Sequence, residues 1–276
     1  MPLVPWPLAV GQVLDRCPSC GHVQRDLARC PAGSRAGAWG GEDDMDRVRL
    51  ALTYRRLLRL TGRPPRSVFE AGFGSGALLR RFADAGAAVG GADPGALGRP
   101  VDAVVAAAGR IETVPVEEVT EGLGAYDLVY AVHVVEHVPA VWAFAAALRR
   151  LLAPGGLLVL ITPAGDSDGL RVFGPSWWML EDPTHVRFFS AVSGSLLLSR
   201  SALVDVRAGR LVGDSLAVEA TSLARRLRRS TGEQGALAGL GTRVGVVASL
   251  PLVVPARIVR PTWRPTLQLT ARRPPA

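Results

Sequence analysis

Three glycines alternate in Glu70-Ala71-Gly72-Phe73-Gly74-Ser75-Gly76, and Asp93 follows about twenty residues on. Glycines at that spacing let a backbone turn sharply and approach a ligand with no Cβ in the way. A carboxylate such as Asp93 offers two oxygens to hydroxyl donors. Farther along, His133, Glu136 and His137 form an H-x-x-E-H cluster, and His185 stands alone. Imidazole is the default side chain for moving a proton near neutral pH, so His137 is the first candidate for a base and His185 the second. His137 can equally serve its own helix N-terminus by bonding backbone groups, and His185 can tie down its own loop. Near the start, Cys17-Pro18-Ser19-Cys20-Gly21-His22 has the look of half a zinc knuckle. The expected second pair is incomplete: Cys30 is present, but Gly33 stands where its partner would be. Cys17, Cys20, Cys30 and His22 are therefore the candidate metal ligands, and a decayed, metal-free loop is the alternative.

The elements that must position these residues follow from periodicity. Ser67–Ala71 reads as a strand running into the glycine turn, and Ala77–Ala85 as a helix leaving it. Further strands are expected at Ala87–Ala92, Val101–Ala108, Tyr126–Val132 and Leu157–Thr162, with a helix at Pro139–Leu152. Strands alternating with helices specify an α/β fold, a Rossmann-like parallel sheet with helices on both faces. Ligands in such sheets bind at the carboxyl ends of the strands, the edge where the glycine turn, Asp93 and the end of Tyr126–Val132 all fall. After Pro163 the rhythm breaks. Trp177 and Trp178 either wall a pocket for a flat acceptor or pack under a lid. Helices are expected at Ala191–Ser199 and Asp214–Arg229, and strands near Ala202–Val212 and at Thr266–Thr270.

Two cofactors suit the glycine turn. Gly72, Gly74 and Ala77 spell a dinucleotide fingerprint, whereas E-x-G-x-G-x-G suits S-adenosylmethionine. A tight turn with no ligand is the third reading. Glu70 favours the second: its carboxylate would repel a pyrophosphate but can pair with the ammonium of a methionine moiety.

Three more stretches carry a resemblance. Tyr126-Asp127-Leu128-Val129-Tyr130-Ala131-Val132-His133-Val134-Val135-Glu136-His137-Val138-Pro139, Leu152-Ala153-Pro154-Gly155-Gly156-Leu157-Leu158-Val159 and Asp182-Pro183-Thr184-His185-Val186-Arg187-Phe188-Phe189-Ser190 resemble segments of the class I S-adenosylmethionine-dependent methyltransferases. They most resemble the branch that includes the ubiquinone-biosynthesis O-methyltransferases, over about residues 45–200. The resemblance implies a seven-stranded, mostly parallel sheet whose last strand, Thr266–Thr270, is antiparallel. It implies that Gly72, Phe73, Gly74 and Gly76 flank the cofactor, with Glu70 beneath, and that Asp93 binds its ribose. Ile111 and Glu112 would lie near the adenine, and backbone near His133 would contact the methionine end. Gly109-Arg110 departs from the pattern, since many relatives have an acid there. Some similar enzymes also use acids and histidines around the H-x-x-E-H position for a divalent metal.

Composition bounds the rest. Nearly half of the 276 residues are apolar, and every basic residue is Arg. Residues 1–199 hold 19 Arg against 20 acids, while residues 200–276 hold 13 Arg against 4 acids, a net of +9. A basic segment of this kind attracts phosphates on a lipid surface or a nucleic acid. The expected organisation is an irregular N-terminal segment with the knuckle (1–41), an S-adenosylmethionine-binding core (42–212), a basic amphipathic and apolar insertion (213–262), and a last strand with a tail (263–276). No run is long enough for a membrane span, so a cytoplasmic protein, peripheral at most to an anionic membrane, is expected. The expected activity is methyl transfer to a small molecule, by O-methylation of an apolar, aromatic or lipid-linked acceptor. The alternatives are an RNA methyltransferase, less favoured because stacking aromatics are sparse in the basic part, and a catalytically inactive regulator with the same fold.

Overall fold

Strands and helices largely alternate over residues 44–211 in the computed structural model, which describes residues 4–9, 12–28, 44–95, 100–180, 184–228 and 240–276. In chain order the strands are β1 (Val4–Ala9), β2 (Gln12–Arg16), β3 (Val23–Arg25), β4 (Ser67–Ala71), β5 (Ala88–Ala92), β6 (Arg110–Glu112), β7 (Tyr126–Val132), β8 (Leu152–Pro163), β9 (Arg187–Phe188), β10 (Val204–Leu211) and β11 (Thr266–Arg272). The α-helices are α1 (Asp44–Thr61), α2 (Ala77–Asp84), α3 (Ala103–Ala108), α4 (Val141–Leu151), α5 (Asp168–Phe173), α6 (Ala191–Arg200), α7 (Val218–Arg228) and α8 (Leu240–Val259).

Seven strands form one sheet in the order β10-β11-β8-β7-β4-β5-β6. It is mostly parallel, with antiparallel C-terminal strands and flanking helices, a Rossmann-like arrangement. The middle strands β7 and β8 are the most apolar, as expected for strands covered on both faces; Leu128, Val129, Tyr130, Leu158, Val159 and Leu160 are all buried. β4 pairs in parallel with β5 and β7, placing Glu70 beside Gly91 on one side and Tyr130 on the other. Two glycines inside β5 have a steric cause. A Cβ on Gly90 would strike the Tyr126 hydroxyl, and one on Gly91 would crowd the Phe73 ring.

One expected strand is a helix. Residues 103–108 form α3, not a strand, and the outer edge of the sheet is β6 instead. Asp102 decides this: its Oδ1 accepts from the N–H groups of Val104 and Val105, at 2.9 and 3.2 Å. An N-cap of that kind satisfies donors that a helix start leaves open, and the alanines that follow are strong helix formers.

The chain divides into two compact units. One comprises residues 36–161, 195–207 and 269–276; the other comprises 1–35, 162–194 and 208–268. These units do not follow the segments expected with bounds at 41, 212 and 262. The N-terminal segment is not irregular: β1, β2 and β3 form an antiparallel sheet completed by β9. The same unit has its own core of Leu14, Val23, Leu170, Trp177, Phe188 and Val218. Residues far apart in sequence share that core, so local pattern could not join them. Trp177 is fully buried there, with its ring 5.5 Å from Phe188. It is packing, not an open pocket wall.

Replacing Asp102 by Ala removes the α3 cap and a partner of Arg80. We expect the protein to lose about 1 kcal/mol of stability, read as a lower denaturant midpoint with an unchanged slope.

Candidate active site

The glycine turn joins β4 to α2, and all three of its glycines are left-handed: φ is +74° at Gly72, +56° at Gly74 and +78° at Gly76. A side chain at Gly72 would also clash with Val134, which packs against the turn. Above Gly74 the space is open, with nothing within 4 Å of where a Cβ would be. The turn is therefore closed on its Gly72 side and open on its Gly74 side.

Hydrogen bonds fix it to the neighbouring strand. Gly72 N–H donates to the Ala92 carbonyl at 2.7 Å. Asp93 Oδ2 accepts from Gly74 N–H at 2.9 Å, and Oδ1 accepts from Gly95 N–H at 2.9 Å. Each carboxylate oxygen has a second lone pair, so Asp93 can brace the turn and still receive hydroxyl donors. Beside it, Asp93 N–H donates to the Glu112 carbonyl at 3.1 Å. Residues 110–112 are strand β6, not loop, which brings Ile111 and Glu112 to the same edge as Asp93. Glu112 Oε1 is buried with no hydrogen-bond partner among the described residues, an acceptor suited to an amine or hydroxyl.

Glu70 sits at the end of β4 and is only 4% exposed. Burial pushes its carboxyl up to about 8, against the opposing pull of the Tyr130 hydroxyl and of Arg49 on α1; Asp93 adds to the rise. The Tyr130 hydroxyl donates to Glu70 Oε2 at 2.9 Å. Tyr130 is fully buried, and its own ionisation is pushed well up by burial and by Glu70. Neither Tyr130 nor Arg49 stood out in the sequence. The parallel register that sets Tyr130 beside Glu70 is the signal that would have found Tyr130, and register is a tertiary property.

At the end of β7 the backbone turns at His133, whose φ of +55° is unusual for a residue with a side chain. His133 N–H donates to the Ile161 carbonyl at 2.8 Å, and its Nδ1 lies 3.2 Å from Glu136 Oε1. Glu136 is fully buried, and His137 is half-buried in the same turn, its N–H donating to the Val134 carbonyl at 2.9 Å. The unit that contains the glycine turn thus brings together Glu70, Gly72, Phe73, Gly74, Gly76, Asp93, Ile111, Glu112, His133 and His137.

The remaining candidates belong to the other unit. His185 is buried, and its Nδ1–H donates to the Met179 carbonyl at 2.6 Å. That bond ties its loop, and Glu181, Asp182 and Pro183 before it lie outside the described residues. Cys17 and Cys20 share a tight turn in which Gly21 N–H donates to the Cys17 carbonyl at 2.9 Å. Hydrogen bonds from Ser19 and the Cys20 backbone lower the Cys17 thiol to about 6. Burial, with the Arg187 guanidinium, lowers His22 to about 4. His22 Nδ1 is directed at Ser193 Oγ, 3.4 Å away, and its ring meets the edge of Phe189. Cys17, Cys20 and His22 do not form a set whose ligand atoms lie within 4.8 Å of one another. Ser193 is the partner of His22 in this arrangement, and Cys30 lies outside the described residues.

A family model described as a methyltransferase domain matches residues 43–203. The ubiquinone biosynthesis O-methyltransferase of Rhizobium etli is 32% identical over 127 residues, covering 42% of this chain and 51% of that protein. The protein of the same name from Rhizobium rhizogenes is 32% identical over 135 residues, with the same coverage. The chain spans about half the length of the curated relatives it matches. Among solved structures, phosphoethanolamine N-methyltransferase 2 of Haemonchus contortus in complex with S-adenosyl-L-methionine superposes with a TM-score of 0.55 at 13% identity, over 81% of this chain and 52% of that one. A SAM-dependent methyltransferase from Archaeoglobus fulgidus gives 0.51 at 16% identity, over 81% and 94%.

Glu70 has a measurable signature in the ligand-free protein. Its carboxyl ionises near the ordinary 4.5 when unfolded and near 8 when folded. Between those values the folded state holds the extra proton, so the stability contributed by neutral Glu70 is complete at low pH and is lost as pH rises towards 8. Glu70→Gln cannot ionise. Its melting temperature should fall less than that of the wild type between pH 5 and pH 8 (about the range bounded by the two values), and it should exceed the wild type at the alkaline end. Parallel pH profiles would refute the buried neutral carboxyl.

Proposed function

Because this chain belongs to the methyltransferase-domain family, we propose that it transfers a methyl group from S-adenosylmethionine to a small-molecule acceptor, with O-methylation of an apolar, aromatic or lipid-linked hydroxyl as the reaction. The observation that carries the cofactor half is the left-handed glycine turn, open above Gly74 and braced by Asp93. The acceptor half is supported by the ubiquinone biosynthesis relatives.

Methyl transfer is an in-line displacement in which the cofactor supplies the reactive sulfonium. The chain supplies binding and alignment. In this reading the free lone pairs of Asp93 receive ribose hydroxyls, and Glu112 Oε1 receives an adenine amine. Glu70 receives the methionine ammonium. A cation beside Glu70 favours its charged form, so the carboxyl gives up the proton that burial let it keep. His137, in the turn after β7, takes the proton of the acceptor hydroxyl. His185 is the second candidate for that role. A zinc ion on the Cys17 and Cys20 thiolates, with Cys30 as a further ligand, is a structural addition to this reading; metal content per chain, lowered in Cys17→Ser, reads it directly.

Titration calorimetry with S-adenosylmethionine tests the proposal. The wild type should bind, and Asp93→Ala should weaken binding by about tenfold or more, one charge-assisted hydrogen-bonding group being lost. Binding near pH 7 should release a proton, seen as a heat that varies with the ionisation enthalpy of the buffer, and Glu70→Gln should abolish that dependence. No binding by the wild type would sink both the enzyme and its cofactor. With an acceptor in hand, His137→Gln should cut kcat by about a hundredfold or more while leaving the cofactor Kd unchanged.

A further inference from the structure

Helix α8 exposes a large apolar face. Among its described side chains, Val246 and Arg257 are fully buried, and they fall on one face. The opposite face is Val244, Val247, Pro251, Leu252, Ile258 and Val259, which at 3.6 residues per turn share an arc of about 140°. It contains no polar side chain, and it faces outward: Leu252 is 78% exposed and Val259 83%. The neighbouring helix also exposes apolar residues. On α7, Thr221 and Ser222 are buried while Leu223 and Leu227, one turn apart, are exposed.

A helix free to rotate would bury its valines. Arg257 prevents that. Its Nε and Nη2 donate to the two carboxylate oxygens of Glu219 on α7, at 2.8 and 2.6 Å. Its Nη1 donates to the carbonyls of Val212 and Asp214, and Nη2 also to that of Ser215. All five guanidinium donors are used. Turning α8 over would strip these bonds from a buried cation, which is far costlier than leaving valines wet. The outward apolar face is therefore fixed by the chain's own bonding.

We propose that this face seats α8 in the plane of an anionic lipid surface. Two observations favour lipid. The surrounding segment carries 13 Arg against 4 acids over residues 200–276. That charge suits anionic head groups and would set two copies of this chain against each other. Arg226, near the end of α7, is exposed, while Arg260 after α8 is paired with Asp168 at 2.8 Å. No helix among the described residues is long and apolar enough to cross a membrane, and a strongly one-sided helix with basic flanks lies in the interface instead.

Co-sedimentation of the full chain with vesicles tests this, independently of methyl transfer, since cofactor binding is read separately by calorimetry. The protein should bind vesicles containing phosphatidylglycerol, bind phosphatidylcholine vesicles less, and lose binding as salt rises. Leu252→Asp with Val259→Asp should weaken binding by at least about tenfold with the melting temperature and cofactor binding unchanged, because both side chains are already exposed. The milder pair Val244→Ser and Val247→Ser should act in the same direction. A wild type that ignores anionic vesicles, or variants that bind them as well as the wild type, would overturn the proposal. So would variants that break up an oligomer in solution without changing vesicle binding, which would give the face to a second copy.

Discussion

The carboxylate of Asp93 holds the glycine turn where a cofactor can use it. Three left-handed residues in five cannot be kept in place by local preference, because glycine gives up more conformational freedom on folding than any other residue. The order must come from outside the turn. Asp93 supplies it through Gly74 N–H and Gly95 N–H, while Gly72 N–H reaches the carbonyl of Ala92. These bonds lace the end of β4 to the end of β5. The sheet then presents the turn, Asp93 and Glu112 along one edge, with open space above Gly74.

Beneath that edge lies a balance of charge. Glu70 is buried too deeply to ionise at neutral pH without a cation, and Tyr130 satisfies one of its oxygens. A buried acid of this kind costs stability in the ligand-free protein and becomes useful when a cation arrives. Such an exchange of stability for binding is common where a perturbed acid sits at a functional edge. The acid, its hydroxyl partner and the braced turn all belong to one compact unit of the chain.

The other unit is held together differently. Its core joins the N-terminal strands to the segment around Trp177 and to α7, and Arg257 rivets α8 to α7 through Glu219. In α7 and α8 large apolar residues also face outward, while polar ones, Thr221, Ser222 and Arg257, are buried. On α7, Leu223 and Leu227 face out. Ser222 takes an inner position because its hydroxyl accepts the Trp178 N–H at 2.9 Å.

The sequence by itself determined the alternation of strand and helix, the glycine turn and the positions of Glu70 and Asp93, because these are short-range patterns with a fixed period or a fixed backbone need. β4 and β7 fall at Ser67–Ala71 and Tyr126–Val132, as their apolar runs require. The same reading failed where a single side chain outweighed pattern. Asp102 turned an apolar run into α3. Tertiary structure alone decided the pairing of Tyr130 with Glu70, the union of the N-terminal strands with β9, and the outward face of α8. Each depends on contacts between residues distant in the chain. A periodic pattern shows that a helix has an apolar face; only a bond such as that between Arg257 and Glu219 fixes which way the face points.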